Sequence, residues 1–427
     1  MINIGEDEKM QLLWIGCLES DEEFKNKAKK GYDLASAQVS QKNLLLGIED
    51  VSGIIFDSIN GSVLPPYPVY EDRDIAPVEW EHKTGAYDIS VGYRNDKYIN
   101  RVNCKKAMIK AADKWVDDRY KNDELIVFVY SMRSAPMATA CHIKKKIPQA
   151  KIYLIVTDLP QFMDLGQSKL KAMLKQFDWK SIKRMQPQFD GFILYASKMA
   201  EFLEIPDDKW MLMEGSYDAL EAVKEAASVT KGVTPSEKEA VTATSECNTS
   251  KKAIMYSGKL DKEYGIPMLL DAFMQIEDKD AELWLTGGGN AEDYIKECAK
   301  KDDMIKFYGF LPSRADVLMK QKEAMLLVNM RLPSEPASAY CFPSKLFEYM
   351  ATGVPVLSFK LEGIPEEYYP HLQLITDESV SAVKIAIEKV LNQDGNDLKE
   401  KGIKARNFIL SMKTVENQTI RIWKYVC

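Results

Sequence analysis

The residues of this sequence best suited to bind an anion lie in the segment 342–357, which reads as a helix followed at once by a buried strand. Pro343 suits the first helical position, because its missing N–H costs nothing there and its φ is already helical. Lys345 in the first turn opposes the helix dipole, at a cost of about 0.3–1 kcal/mol. A bound anion removes that cost, because the free N–H groups of Ser344 and Lys345 would then hold it together with the lysine.

Glu348 lies one turn further along the same helix and would face the same ligand. Amides and an ammonium group bind phosphate oxygens, and a carboxylate accepts hydrogen bonds from sugar hydroxyls. Together these groups indicate a sugar nucleotide. The alternative is that Lys345 is a solvated surface lysine and Glu348 an ordinary exposed helical residue, and this segment alone leaves both interpretations open.

Strands and helices alternate along the first half of the chain and predict a parallel sheet with helices on both faces. The predicted strands are Gln11–Cys17, Gly53–Phe56, Ile89–Gly92, Leu125–Tyr130, Ile152–Val156, Gly191–Tyr195 and Met211–Met213. The predicted helices are Gln41–Glu49, Asn100–Val116 and Met137–Lys146, with 31–40 as a loop. In such sheets ligands bind at the carboxyl ends of the strands.

Strands and helices alternate in the second half of the chain as well. The predicted strands are Ala253–Tyr256, Glu282–Thr286, Ile305–Tyr308, Met325–Val328, Val354–Phe359 and Leu372–Ile375. Further helices are predicted at Pro267–Gln275, Ala291–Lys300 and Val380–Leu391, from Arg314, and from Asp397 to the end. Gly258, Gly287 and Gly309 follow the first three strands, where glycine lets the backbone approach a ligand closely. No GxGxxG or GxxxxGK[ST] pattern is present, so neither a dinucleotide fingerprint nor a P-loop is predicted.

Length and composition predict two domains and exclude several classes of protein. A chain of 427 residues is too long for one core, and the polar segment 229–252 is predicted to be a linker or mobile loop between domains 1–228 and 253–411. A net charge of −7 argues against nucleic acid as a partner. The three histidines have no metal-ligand spacing. Seven scattered cysteines, without a CxxC pair, favour a reducing cytoplasm, and neither a signal peptide nor an apolar membrane span is recognised.

The segment 168–186 interleaves lysines and an arginine with apolar residues and predicts a pair of short amphipathic helices. Such helices can lie on an anionic membrane, which would give peripheral contact with the inner surface of the membrane. The alternative, a surface helix whose apolar side packs on its own domain, is the interpretation we favour.

Four motifs follow one another in the second half: 258–260 (GKL), 287–289 (GGG), 308–311 (YGFL) and 342–357. Together they resemble the nucleotide-binding half of a family 4 glycosyltransferase with the GT-B fold, in which two Rossmann-like, doubly wound α/β domains face each other across a cleft. Residues 324–357, followed by 363–368 (GIPEEY), are especially similar to bacterial capsule and exopolysaccharide transferases. The N-terminal half matches only in architecture and at 157–160.

The resemblance implies a retaining enzyme that needs no metal and moves a sugar from a nucleotide-sugar donor to a saccharide acceptor. A UDP-sugar is the favoured donor and a GDP-sugar the alternative, and the acceptor would be a lipid-linked polysaccharide or capsule repeat unit. The implied catalytic residues are Lys259 and Lys345, on the diphosphate, and Glu348, on the ribose. The donor-binding residues would be Gly258, Lys259, Gly287, Gly309, Phe310, Tyr340, Phe342, Ser344, Lys345 and Glu348.

The acceptor is expected on the N-terminal domain, at Ser36, Gln38, Arg133 and Asp158, and the last helix, about 412–427, is expected to pack back on that domain.

Two positions depart from the pattern of the family. Tyr340 stands where a first glutamate is common, and Tyr264 stands where a second diphosphate lysine is common. Lys345 is a candidate for the missing charge, and Glu335 could approach the sugar from its loop. These departures keep open a degenerate, non-catalytic scaffold. A sugar-nucleotide epimerase is a further alternative on this fold, although no acid/base cluster is evident in the first half.

Overall fold

The computed structural model describes residues 10–32, 35–162, 169–218 and 252–427 of the chain. These form two compact units, Met1–Glu214 with Gln418–Cys427, and Gly215–Asn417. The predicted linker 229–252 lies outside the described residues except for Lys252, which opens a strand. None of the helices in the described ranges is long and apolar enough to cross a membrane.

The first unit is built on an eight-stranded sheet in the order β10-β9-β8-β7-β1-β2-β5-β4, parallel except for the edge strand β4. Its strands are β1 (Met10–Gly16), β2 (Phe56–Asn60), β4 (Val78–Trp80), β5 (Asp88–Ser90), β7 (Glu124–Tyr130), β8 (Lys151–Val156), β9 (Gly191–Leu194) and β10 (Trp210–Leu212), and β3 (Asp74–Ile75) pairs separately with β6 (Tyr93–Arg94). The central strands β1 and β7 are buried along almost their whole length, as their apolar runs require when helices cover both faces.

Among the described residues between the strands of this unit lie the helices α1 (Asp21–Lys29), α2 (Ala35–Ser52), α3 (Asn100–Arg119), α4 (Ser134–Lys146), α5 (Lys169–Met185) and α6 (Lys198–Leu203). Short 3₁₀ helices lie at Gln186–Gln188 and Asp207–Lys209. Three predictions were wrong. The segment 31–40 is helical from Ala35, Gly53–Phe56 is the connection after α2 and the first residue of β2, and 168–186 contains one long helix instead of two short ones.

The helix α5 packs part of its apolar side on its own unit. Ile182 is 1% exposed, and the ring of Trp179 lies 6.2 Å from that of Phe202. Phe177 remains 62% exposed.

The second unit is a six-stranded, all-parallel sheet in the order β13-β12-β11-β14-β15-β16. Its strands are β11 (Lys252–Ser257), β12 (Ala281–Thr286), β13 (Ile305–Gly309), β14 (Leu326–Asn329), β15 (Val356–Phe359) and β16 (Gln373–Ile375). The helices in its described residues are α7 (Ile266–Phe273), α8 (Glu292–Lys301), α9 (Arg314–Glu323), α10 (Lys345–Thr352), α11 (Val380–Leu391) and α12 (Gly395–Met412), with 3₁₀ helices at Lys262–Tyr264, Pro336–Tyr340 and Glu366–His371. Numbered from β11, this is the doubly wound order 3-2-1-4-5-6, in which ligands bind where the order reverses, beside β11 and β14.

Two helix boundaries differ from the prediction. The helix after Phe342 begins at Lys345, with Ser344 at its N-cap, and Leu346 N donates to Pro343 O (2.8 Å) in a tight turn that overlaps its first residues. Pro343 therefore lies before the helix. The helix from Asp397 to the end is in fact two helices, α12 and α13 (Val415–Val426).

The C-terminal residues of the chain complete the core of the first unit. Ile422, Trp423 and Val426 belong to the same cluster of buried side chains as Trp14 and Phe128.

Candidate functional site

A pocket of about 630 Å³ opens at the carboxyl ends of β11, β12 and β13 in the second unit. The loops that follow these strands line it, together with the first turns of α9 and α10. Six residues singled out from the sequence lie in this lining: Gly258, Lys259, Gly287, Phe310, Lys345 and Glu348. The tertiary structure thus brings together residues that come from four separate segments of the chain.

Lys345 is the most unusual side chain of this pocket. Its Nζ lies 4.8 Å from the centroid of the Tyr256 ring and packs against Gly258. A Cβ at Gly258, whose φ is +127°, would lie 1.6 Å from that Nζ, so glycine is required there for both conformation and space. Within the described residues, no carboxylate lies within ion-pair distance of Lys345.

Burial lowers the pKa of Lys345 to about 8, although the negative charge of Glu348 opposes this shift. A lysine that loses water without gaining an ionic partner is destabilised in its charged form. A bound anion would supply the missing partner. Buried, poorly compensated titratable groups of this kind are concentrated at functional sites.

The start of α10 offers backbone donors beside this ammonium group. The N–H groups of Ser344 and Lys345 donate to no acceptor in the described part of the chain, whereas Leu346 and Phe347 donate to the preceding turn. The sequence therefore located the free amides correctly even though the helix begins later than predicted. Amides at a helix N-terminus next to a lysine bind anions readily.

Glu348 is held on the same face of α10. Its Oε1 accepts a 2.6 Å hydrogen bond from Nε2 of Gln321, and its Oε2 lies 3.6 Å from Nε of Arg314. Gln321, which is fully buried, also donates to Ser257 Oγ at 2.9 Å. The carboxylate is thus fixed from α9, and its remaining acceptor positions are free to receive hydroxyl groups.

Lys259 differs from Lys345, because it is 66% exposed at its side chain and its Nζ forms an ion pair with Asp261 at 2.6 Å. The hydrogen bond from this ammonium to Asp261 raises the pKa of Lys259. Asp261 also accepts from the backbone N of Asn290 at 2.8 Å, which anchors it. Lys259 therefore presents a tethered cation at the mouth of the pocket.

Phe310 provides a flat apolar surface in the same lining. Its side chain is 83% exposed, and its ring lies directly against Gly288, where a Cβ would approach to 2.6 Å. A large exposed aromatic ring beside a phosphate-sized anion site is suited to stacking on a base.

The other predicted donor residues lie elsewhere. Phe342 is 5% exposed and packs in the core, with its ring 4.8 Å from that of Phe347. Gly309 holds the loop through its carbonyl, which accepts from Gly287 N at 2.7 Å. Ser344 is exposed, and Tyr340 ends a 3₁₀ helix; neither is part of the pocket lining.

The sequence missed several residues of this site. Gln321, Arg314 and Thr286 gave no signal, because an isolated glutamine, arginine or threonine in a βα pattern is ordinary. Gly288 was in the quoted glycine turn but was not selected. The pairing of Lys259 with Asp261 could have been anticipated from their spacing of two residues.

Three of the four predicted acceptor residues lie near the carboxyl ends of β1, β7 and β8, which are neighbouring strands of the first sheet. Gln38 is on α2 and bonds the loop after β1, donating to Cys17 O at 2.7 Å. Arg133 is the N-cap residue of α4, and Asp158 follows β8. Ser36 is exposed on α2.

Comparisons with known proteins bear on the fold and on the second half of the chain. Residues 237–408 match the family model described as glycosyl transferases group 1. No curated protein matches the chain significantly.

Three solved structures illustrate the similarity in fold. Sucrose-phosphate synthase from Thermosynechococcus elongatus is 14% identical, with a TM-score of 0.62 over 97% of this chain and 98% of that chain. HepE of Anabaena in complex with UDP is 12% identical, with a TM-score of 0.60 over 97% and 99%. A trehalose-6-phosphate protein from E. coli bound with UDP-2-fluoro glucose is 9% identical, with a TM-score of 0.64 over 97% and 99%.

The two Rossmann-like units and these structural similarities confirm the predicted fold class, GT-B. The match to the glycosyl transferases group 1 model over residues 237–408 indicates a glycosyltransferase domain in the second half of the chain. Membership of family 4 and the similarity to capsule transferases stay predictions.

Proposed function

We propose that the chain is a retaining glycosyltransferase that binds a nucleotide-sugar donor in the pocket of its second unit. The donor is a UDP-sugar, and the base stacks on Phe310 while the diphosphate occupies the region of Lys345 and the start of α10. Glu348 accepts hydrogen bonds from the ribose. Two of the solved structures contain UDP or a UDP-sugar, which supports this choice of nucleotide.

The observation that carries the proposal is the buried ammonium group of Lys345. It lies against Gly258, beside two free amides and without a carboxylate partner among the described residues. Such an arrangement is costly in the empty protein and favourable once a doubly charged group binds. A carboxylate three residues along the helix and an exposed aromatic ring complete the contacts that a nucleoside diphosphate requires.

The proposed reaction uses these cations to stabilise the departing nucleoside diphosphate. The bond from the anomeric carbon to the diphosphate oxygen breaks, and a hydroxyl oxygen of the acceptor bonds to the same face of that carbon. The hydroxyl proton passes to the departing phosphate oxygen, so atoms and charge balance. Donors that are already positioned where charge develops are typically worth a few kcal/mol each in the transition state.

We further propose that the acceptor is a lipid-linked saccharide bound on the first unit at Gln38, Arg133 and Asp158, so that transfer takes place at the cytoplasmic face of the membrane. The resemblance of 324–368 to capsule and exopolysaccharide transferases supports this acceptor class. A capsule or exopolysaccharide repeat unit is the specific form that this resemblance favours.

The test is a calorimetric titration with UDP and GDP, followed by measurement of sugar release from UDP-sugars. The wild type is expected to bind UDP more tightly than GDP, and Lys259→Ala and Glu348→Ala are expected to abolish donor turnover. Lys404→Ala, at an exposed position of α12, is the matched control. Binding of neither nucleotide would favour the degenerate scaffold, and undiminished turnover in both variants would contradict the roles of Lys259 and Glu348.

Retention is tested separately by NMR on the first product formed, in which the anomeric configuration of the donor sugar is expected to be preserved. An inverted product would overturn that part of the proposal without affecting the donor site.

A further inference from the structure

Arg331 is a cation beside the pocket that the sequence did not single out. It follows β14, the neighbour of β11 at the point where the strand order of the second sheet reverses. Met255 of β11 pairs with Leu327 of β14. Lys259 lies four residues past Met255, and Arg331 lies four residues past Leu327. Both cations therefore leave the sheet at the same level, at its ligand-binding switch point.

Both cations also lie over the same aromatic ring, that of Tyr264. Lys259 Nζ is 5.8 Å from the centroid of the ring, and Arg331 Cζ is 5.9 Å from it. The negative face of the ring attracts each cation and so helps to hold two like charges near one another. Tyr264 is the position at which the family resemblance places a second lysine.

The loop that carries Arg331 reaches Tyr264 because Gly265 follows this tyrosine. Gly265 has a φ of +72°, and a Cβ there would lie 2.5 Å from Met330 O and 2.8 Å from Leu332 Cδ2. Glycine therefore satisfies both the backbone conformation and the close packing. Without a side chain at Gly265, the residues on either side of Arg331 pack directly against the turn.

The guanidinium group of Arg331 is positioned but not neutralised. Its Nε donates to Ser338 Oγ at 3.1 Å, and its Nη1 donates to Cys341 Sγ at 3.5 Å. Ser338 is 1% exposed and donates in turn to Leu332 O at 2.7 Å. Among the described residues no carboxylate pairs with Arg331, so three of its five N–H donors are left for a ligand.

We propose that Arg331 contacts the sugar-bearing phosphate of the donor and replaces the lysine that is absent at Tyr264. This proposal rests on the proposed function of the pocket. Lys259 lines the pocket and lies over the same Tyr264 ring as Arg331, which relates the arginine to the diphosphate side of the site. A planar guanidinium can bind two phosphate oxygens at once, which a lysine cannot do.

The experiment compares UDP with UMP, which lacks the second phosphate, by calorimetry on the full chain. Arg331→Ala is expected to weaken UDP binding about ten- to hundredfold and to leave UMP binding unchanged. Lys404→Ala, whose side chain is 64% exposed, is expected to change neither. If the wild type prefers GDP, the same comparison is made with GDP and GMP.

A double variant, Tyr264→Lys with Arg331→Ala, restores the lysine of the family pattern and is expected to recover most of the UDP affinity. Arg331→Lys, which keeps the charge and loses the planar fork, serves as the comparison if Arg331→Ala does not fold, and is expected to weaken UDP binding severalfold. Unchanged UDP affinity in the folded variants, or equal losses for UDP and UMP, would overturn the role of Arg331. A wild type that binds neither UDP nor GDP would instead overturn the proposed function.

Discussion

A buried cluster of charges in the first unit and the pocket of the second unit differ in how their charges are paired. In the first unit, His82 bonds Glu49 at 2.9 Å and Asp88 at 2.7 Å, and none of these three side chains is more than 4% exposed. Lys27 pairs with Glu19 at 2.6 Å, with both side chains about nine-tenths buried. In the pocket of the second unit, Lys345 and Arg331 have no carboxylate partner among the described residues. Burial lowers the pKa of Lys345 as a result.

This difference separates structural charges from functional ones. In a buried ion pair or triad the opposite charges compensate one another, and removing one partner destabilises the protein. A partly buried cation without an ionic partner destabilises the folded protein, and a bound anion removes that destabilisation. The second unit is therefore where the donor is expected, and each prediction below would break or sharpen this contrast.

The largest expected effect is on the stability of the first unit. His82→Leu leaves Glu49 and Asp88 buried without their shared partner and is expected to lower the free energy of unfolding by about 3–5 kcal/mol, measured by urea denaturation. UDP affinity is expected to be unchanged in the folded fraction. His142→Leu is the control, because that histidine and its partner Asp113 are 31% and 39% exposed; it is expected to cost less than about 1 kcal/mol. Equal losses in the two variants would refute the contrast.

The pH dependence of this triad has a definite sign. Burial alone would lower the pKa of His82, but hydrogen bonds to Asp88 and Glu49 outweigh it and raise the pKa to about 9. Because the folded value lies above the unfolded one, about 6.5, the stabilisation is complete below about pH 6.5 and is lost as the pH rises through about 9. The difference in stability between the wild type and His82→Leu should shrink over that range.

The next effect is at Lys345, where affinity and stability should move in opposite directions. Lys345→Met is expected to weaken UDP binding about a hundredfold, since a charged contact is lost. The same change removes a desolvated charge, so the melting temperature of the unliganded protein is expected to rise by about 2–4 °C for each kcal/mol gained. A lower melting temperature without ligand would contradict the interpretation of Lys345 as an unpaired buried cation.

A smaller effect is the pH dependence of UDP affinity. The free Lys345 has a pKa of about 8, and a bound diphosphate raises it, so the favourable interaction is present below about pH 8 and fades as the pH rises above it. Kd is expected to increase by up to about tenfold per pH unit above 8. The phosphates of UDP are already ionised there, since their second pKa is about 6. Lys345→Arg should give a flat profile, and a flat wild-type profile would assign the binding to other groups.

The smallest expected effect is at Phe310. Its removal should weaken UDP binding about tenfold, because stacking on the base is lost, while the melting temperature stays unchanged since the ring is already 83% exposed. Phe177→Ala, a 62% exposed phenylalanine of the first unit, is the control. Equal UDP affinity in the two variants would place the base elsewhere.

The sequence by itself determined the fold class and most of the elements of the second unit. Its apolar runs, glycine-bearing turns and helix signals are local, and they fixed the predicted strands to within one or two residues of those observed. Lys345 and Glu348 could be related to one another because they lie three residues apart on one helix. The boundaries in the first unit were harder to predict. The segment 31–40 has small and polar residues that suit either a loop or the beginning of α2.

Only the tertiary structure decided which distant side chains meet. Arg331 reaches Tyr264 through the pairing of β11 with β14, and Gln321 fixes Glu348 from another helix. Phe342, which was predicted to bind the donor together with Phe310, packs in the core and does not line the pocket. These outcomes depend on the strand order and on packing against residues far away in the chain, and the local pattern of residues determines neither of them.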